Sequence, residues 1–148
     1  LVPGFDDAVI KEMIQQKDLL QALVLQLYGT GNIPNVKESF VELLADATSR
    51  GILVVAATQC FTGSVMMGQY KVGKALERAG VVSANDMTLE ATACKISYLF
   101  GRGDLTFHEI CKLMGVSLRG EITPLEALSP PPLSSAYQRG MRKGKKFY

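Results

Sequence analysis

The amino-acid sequence predicts a small three-layer α/β domain, in which a short parallel sheet is flanked by helices. Two observations favour this class. Two continuous apolar runs, residues 22–28 and 52–57, have the length and composition of strands that are buried on both faces. Each run is followed by a polar loop and then by apolar residues at helical spacing. Because parallel strands need helical crossovers, this alternation indicates a parallel sheet with helices on both sides.

Capping residues and glycines mark the predicted helices. The first is expected over about residues 5–17, with Asp6 and Asp7 at its negatively charged N-terminal end. Another is expected after the loop 59–68. The remaining helices are predicted to begin at Asn35, at Thr88 and at the capping box Thr106–Glu109, and the four predicted stops are Gly51, Gly80, Gly101 and Gly115.

A third strand is expected at Val81-Val82, where the alternation requires one. Parallel sheets bind ligands in the loops that follow the carboxyl ends of their strands. The sequence therefore directs attention to the loops 29–35, 59–69 and 83–88.

Composition indicates one globular domain. The chain has 148 residues, of which 47% are hydrophobic and 20% charged, and its apolar runs are far shorter than the ~20 residues of a membrane span. Its three cysteines are an odd number at wide spacing, which argues against a disulfide framework or a zinc site. We therefore expect reduced thiols and a cytoplasmic location.

The positive charge is concentrated at one end. The net charge is +2, yet five basic residues fall within residues 139–148, so the rest of the chain is net negative. Such a balance does not favour nucleic-acid binding by the domain. A proline-rich stretch precedes the basic end, and we assign residues 1–128 to the α/β domain and 129–148 to a tail or linker.

The loop after the first strand combines flexible backbone with an amide. Gly29 and Gly31 permit close approach of a ligand, and Asn32 supplies both a donor and an acceptor. A carboxylate or amide site is one interpretation, and a tight strand-to-helix turn is the other. A dinucleotide site is not indicated, since the third glycine of that motif is absent.

The second loop contains Thr58 and Cys60 directly after a buried strand. A nucleophilic cysteine requires a base, and the only histidine, His108, falls within a predicted capping box. We therefore interpret Cys60 as a packed or ligand-lining thiol and His108 as a surface residue. No second ligand stands one turn from His108, so no metal site is predicted.

Beyond these patterns, the sequence resembles the C-terminal domain of type I L-asparaginases. The similarity runs in the family's order over nearly all of residues 3–124. The phrases that carry it are Tyr28-Gly-Thr-Gly-Asn-Ile-Pro34, Gly51-Ile-Leu-Val-Val55, Thr58-Gln-Cys60, Met67-Gly-x-Tyr70, Ala79-Gly-Val-Val82, Asp86-Met-Thr-x-Glu-Ala91, Lys95-x-x-Tyr98-Leu99 and Leu118-Arg-Gly-Glu-Ile-Thr-Pro124.

The resemblance implies one part of a two-domain, homo-oligomeric enzyme that hydrolyses asparagine to aspartate and ammonia without a cofactor. The family's catalytic threonines lie in an N-terminal domain whose Thr-Gly-Gly-Thr phrase is not found here. The family's first strand is reduced to Leu1-Val2. We therefore expect a fragment that begins close to the domain boundary, has no catalytic residue and is inactive alone.

The resemblance also suggests roles for the two loops. It places Asn32, with Gly29 and Gly31, near the substrate pocket. It assigns the loop of Thr58 and Cys60 to an allosteric asparagine site. An arginine of that effector site is replaced here by Gln26. The guanidinium that usually pairs with the effector carboxylate is therefore missing.

Two other functions remain open. One is a free-standing amino-acid-binding regulatory domain. The other is the matching domain of a tRNA-dependent amidotransferase subunit. The phrases around Asp86 and Arg119 favour an asparaginase over this second alternative.

Overall fold

The computed structural model describes residues 6–16, 19–29, 31, 33, 38–60, 63–65, 67 and 71–124. The predicted Asn35 cap and the tail 129–148 lie outside these residues. No helix in the described ranges is long and apolar enough to cross a membrane. The elements in chain order are α1 (Asp7–Gln15), β1 (Ala22–Leu27), α2 (Glu38–Ser49), β2 (Leu53–Thr58), α3 (Lys71–Arg78), β3 (Val82–Ser83), α4 (Leu89–Gly101) and α5 (Phe107–Met114).

The three strands form one parallel sheet in the order β1-β2-β3, as the alternation of elements predicts. The β1–β2 ladder runs from the pair Ala22–Leu53 to the pair Leu27–Thr58. The third strand begins one residue later than expected. The reason is that the Val81 N–H donates to the Leu76 carbonyl at 3.0 Å and so closes the end of α3.

Strand β2 is the centre of the domain because both of its faces are buried. Val54 and Ala56 face a core that contains residues of α1, α2 and α3. Leu53, Val55 and Ala57 face a second core built with α4 and α5. The continuous apolar run thus produces helix, sheet and helix layers, and the three-layer prediction is confirmed.

The helix starts follow the predicted capping chemistry. Asp6 caps α1 by accepting a 2.9 Å hydrogen bond from the Ala8 N–H. Thr88 caps α4 through the Ala91 N–H at 3.1 Å. The reciprocal capping box of Thr106 and Glu109 is present at α5. Each cap satisfies backbone donors that the first helical turn leaves unpaired.

Helix α4 ends at Gly101, where the sequence predicts its stop, but Gly101 is itself helical and is not the residue that adopts the left-handed conformation. Gly101 is the last helical residue, and the Arg102 N–H still donates to the Tyr98 carbonyl at 3.2 Å. The left-handed conformation that favours glycine occurs two residues later, at Gly103, where φ is +70°.

The apolar residues of α4 are unevenly buried. Ile96 and Leu99 are buried, but Leu89 is 41% exposed. Two polar residues, Thr92 and Lys95, take part in the buried face. The buried face of α4 therefore does not coincide with the face on which its apolar residues lie.

The burial of Lys95 is explained by its partners. Its side chain is 3% exposed, and its Nζ lies 2.7 Å from Oε1 of Glu121, which is 16% exposed. The same ammonium donates to the carbonyls of Val116 at 2.6 Å and Met114 at 3.2 Å. The ion pair and these hydrogen bonds offset the cost of removing the charge from water, and they hold the segment after α5 against α4.

Glu121 is held as a carboxylate. Burial acts to raise its pKa, but hydrogen bonds from Lys95 and from the backbone N–H groups of Leu118 and Arg119 outweigh burial, and the pKa is lowered to about 2. The two backbone donors lie 2.9 and 2.7 Å from the carboxylate oxygens. These bonds close the segment 118–121 into a compact turn.

We predict that Glu121→Gln lowers the free energy of unfolding by about 2–4 kcal/mol, because it leaves the Lys95 ammonium buried without its counter-ion. Urea unfolding measures this change. The control is Arg50→Gln, which breaks the exposed Arg50–Asp46 ion pair and should change stability by less than about 1 kcal/mol. Equal effects of the two substitutions would contradict the role given to the buried pair.

The same pair predicts a pH dependence. Because the folded-state pKa of Glu121 lies near 2, below its ordinary value of 4.5, the pair stabilises the domain fully above about pH 4.5. This contribution is lost as the pH falls from 4.5 towards 2. The difference in unfolding free energy between the wild type and Glu121→Gln should therefore narrow over that range. A difference that stays constant from pH 6 to pH 2 would refute this assignment.

Candidate functional site

The candidate site lies where the three parallel strands end at one edge of the sheet. The loops that follow β1, β2 and β3 all leave from this edge. The described parts of these loops are joined by hydrogen bonds that run from each loop to the next.

Thr58 joins the first loop to the second. Its hydroxyl donates to the Gly29 carbonyl at 2.6 Å and accepts from the Cys60 N–H at 3.0 Å. Next to it, the Gln59 N–H donates to the Leu27 carbonyl at 3.0 Å and so extends the ladder between the two strands. The threonine side chain thus takes over where backbone pairing ends, and it fixes Gly29 and Cys60 relative to each other.

The two glycines of the first loop adopt backbone conformations that other residues rarely adopt. Gly29 has φ +51° and Gly31 has φ +122°. A Cβ atom on Gly31 would lie only 3.3 Å from Cγ1 of Val65, whereas one on Gly29 would contact nothing within 4 Å. Gly31 is therefore required both by its conformation and by close contact with the second loop.

Val65 continues the connection to the third loop. Its N–H donates to the Asn85 carbonyl at 2.9 Å, and its own carbonyl accepts from the Ser83 hydroxyl at 3.0 Å. The same Ser83 oxygen accepts from the Asn85 N–H at 3.0 Å. Asn85 has φ +56°, a conformation that asparagine tolerates better than most residues.

Asp86 anchors the third loop to the end of the described chain. Its carboxylate accepts from the Thr123 N–H at 3.0 Å. Burial acts to raise its pKa, but hydrogen bonds from the side chain and backbone of Thr123 outweigh burial, so the pKa lies below its ordinary value. The loop after β3 and the segment that carries Glu121 are thus tied together.

One polar group at this edge has no partner within the described part of the chain. The hydroxyl oxygen of Tyr28 is buried and makes no hydrogen bond there. Tyr28 follows β1, and by strand alternation it shares a face with Gln26. A buried hydroxyl of this kind needs a water molecule or a ligand to satisfy it.

The described residues contain no activated nucleophile at this edge. The Thr58 hydroxyl is already engaged by two backbone groups, and neither is a base. Cys60 is exposed, and His108 lies exposed in the first turn of α5. The arrangement therefore offers hydrogen-bond donors and acceptors for binding, but no pair of groups for covalent catalysis.

In the described ranges, no group of three or more His, Cys, Asp or Glu side chains is placed to hold a metal ion.

The structure brings together four of the five residues that sequence reasoning proposed for this site, namely Gly29, Gly31, Thr58 and Cys60. The fifth, Asn32, lies outside the described residues. Sequence reasoning missed Ser83 and the contact of Asp86 with Thr123. The only signal for them is that Ser83 and Asp86 fall in the third strand-end loop, the position where parallel sheets bind ligands.

Comparison with known proteins identifies the family. The model of the glutaminase/asparaginase C-terminal domain matches residues 1–114. This chain belongs to that family. L-asparaginase 1 of Escherichia coli is 44% identical over 124 residues, which are 84% of this chain and 36% of that protein. The crystal structure of L-asparaginase I from Vibrio cholerae is 39% identical, covers 84% of this chain and 36% of its own, and superposes with a TM-score of 0.76.

Other members of the family have different names. The 60 kDa lysophospholipase of Homo sapiens is 37% identical over 84% of this chain and 21% of its own length. A Glutamyl-tRNA(Gln) amidotransferase chain of Methanobrevibacter smithii is 33% identical over 80% of this chain and 26% of its own length. The chain thus spans little more than a third, or less, of the relatives that it matches. The recognised family and the α/β fold are confirmed.

We predict that Thr58→Val lowers the free energy of unfolding by about 1–3 kcal/mol, because it leaves the Gly29 carbonyl and the Cys60 N–H without their shared hydroxyl. Thr58→Ser retains the hydroxyl and is the matched control. Amide hydrogen exchange should show faster exchange at Cys60 in the valine variant only. Unchanged exchange at Cys60 would show that Thr58 does not join the loops.

Proposed function

We propose that this chain is the C-terminal domain of an L-asparaginase-type amidohydrolase, which converts asparagine to aspartate and ammonia. In this proposal the catalytic threonines belong to an N-terminal domain, and the loops at the strand ends contribute contacts to the amino-acid ligand. The family and the similarity to two asparaginases support the enzyme class.

The observation that carries the proposal is the contact of Thr58 with both loops. A single hydroxyl fixes the glycine loop and the Thr-Gln-Cys loop at one edge of the sheet. Binding loops that are held in place before the ligand arrives lose less conformational entropy on binding. We expect Gly29, Gly31, Thr58 and Cys60, together with Asn32, to form one ligand-facing surface.

The chemistry of this surface suits an amino acid with an amide. The amide of Asn32 offers a donor and an acceptor, and the Tyr28 hydroxyl offers a further polar group without a partner in the described chain. Such groups orient a substrate for attack by a nucleophile from elsewhere in the enzyme.

Effector binding at the same edge is a finer part of the proposal. Gln26 lies in β1, next to the loops, where the family's effector site has an arginine. A neutral amide cannot replace the bidentate, charged contact of a guanidinium with a carboxylate. We therefore expect substrate contact to be retained and any effector response to be weak.

The amidotransferase interpretation is the second candidate. It is favoured by the 33% identity to two archaeal Glutamyl-tRNA(Gln) amidotransferase chains. The identity to L-asparaginase 1 is higher, at 44%, so an asparaginase remains our first proposal. A chimera distinguishes the two proposals. When this chain is joined to the part of E. coli L-asparaginase 1 that it does not match, the fusion should hydrolyse free asparagine.

We further propose a homo-oligomer in the cytoplasm, with residues 1–128 as the domain and 129–148 as a tail or linker. The three cysteines support a reducing compartment, because all are free thiols. For Cys111, burial raises the pKa of the thiol, which disfavours the reactive thiolate.

We predict that the isolated chain binds L-asparagine and does not hydrolyse it. Calorimetric titration with L-asparagine, and with L-aspartate and L-glutamine for comparison, measures the binding. Asn32→Ala or Cys60→Ala should weaken it by about tenfold, the effect of one lost hydrogen bond. Cys94→Ala, which removes an exposed thiol from α4, is the matched control.

Two outcomes would contradict this prediction. Release of ammonia from asparagine by the pure chain would show that catalysis does not depend on an N-terminal domain. Equal binding by Cys60→Ala and Cys94→Ala would remove Cys60 from the ligand-facing surface.

A further inference from the structure

A second concave surface lies between α4 on one side and α5 with the turn 118–121 on the other. It is a groove of about 370 Å³, a volume within the range of small-molecule sites. One wall is a stripe of α4 residues one helical turn apart, and the other is formed by α5 and the turn 118–121. Its apolar lining comes from Ala91, Tyr98, Leu99, Leu113 and Leu118.

Lys95 and Glu121, one from each wall of the groove, contribute no free charge. The two side chains form an ion pair at 2.7 Å, and their remaining polar atoms bind backbone groups. Neither group therefore has a strong requirement for an outside partner. This pair shapes the groove but does not select the charge of an occupant.

The two arginines of the groove differ in whether their charge is paired within the described part of the chain. Arg102 is engaged by Asp104 through two hydrogen bonds of 2.6 and 2.9 Å. Arg119 donates one hydrogen bond, of 2.8 Å, to the neighbouring Leu118 carbonyl. No ion pair found among the described residues includes Arg119. Its planar guanidinium is exposed at the groove and keeps the geometry needed to bind an oxyanion.

We propose that this groove binds a single-chain amphiphile with one carboxylate, such as a medium-chain fatty acid. The alkyl chain lies along the apolar stripe of α4, and the carboxylate pairs with Arg119. Removing apolar surface from water provides the attraction, and the charge-assisted hydrogen bonds to the guanidinium select an anionic head group. The proposal does not depend on the function of the strand-end loops.

The test uses the 148-residue chain and decanoate below its micelle concentration, with calorimetric titration as the measurement. We expect saturable binding of decanoate, and at least about tenfold weaker binding of two comparison ligands. Butanoate has the same head group but too short a chain. Decyltrimethylammonium has the same chain but the opposite charge.

Arg119→Gln should weaken decanoate binding by about tenfold or more, the effect of losing a charge-assisted hydrogen bond. Arg119 is exposed, so the substitution leaves the core intact. Arg78→Gln removes an exposed arginine from the last turn of α3 and is the matched control. Binding that Arg119→Gln leaves unchanged, or reduces no more than Arg78→Gln does, would overturn the proposal.

Thiol protection locates the ligand independently. Cys94 lines the groove, whereas Cys60 lies in the strand-end loop, and both are exposed. Decanoate should slow the alkylation of Cys94 by iodoacetamide severalfold and leave Cys60 unaffected, as measured by mass spectrometry of the two peptides. Equal protection of both thiols, or protection of Cys60 alone, would place the ligand elsewhere and refute the assignment.

Discussion

Burial of β2 on both faces is the constraint on which the rest of the domain depends. Five of its six residues are buried, and alternate side chains enter two separate cores. A strand of this kind is stable only when helices cover both sides of the sheet. The helices α1, α2 and α3 cover one side, and α4 and α5 the other.

Strand β2 also fixes the positions of the loops at the strand ends. Thr58 is the last residue of β2. The five residues before it are buried, whereas Thr58 is partly exposed. Its backbone belongs to the ladder, while its side chain organises the loops on either side. Because the strand is fixed by its two cores, the hydroxyl is fixed as well. Loops built on such a support meet a ligand in a prepared geometry.

The sequence was sufficient for features that depend on local chemistry. Continuous apolar runs indicated the strands, and the residues Thr88 and Thr106 indicated helix starts. Features that depend on distant residues were not predictable. Lys95 is buried because Glu121, 26 positions along the chain, neutralises it. For the candidate site, the sequence indicated the loops at the strand ends. The bond that the Ser83 hydroxyl donates and the bond that the Asp86 carboxylate accepts depend on how the third loop folds.

The segment 121–123 joins the α4 groove to the third strand-end loop. Glu121 lines the α4 groove and is fixed there by Lys95. Two residues later, the Thr123 N–H binds the carboxylate of Asp86 in the loop after β3. Ile122, between them, is buried in the core beneath α4 and α5. The groove wall and the third strand-end loop are therefore connected by one short segment that is held at both ends and in the middle.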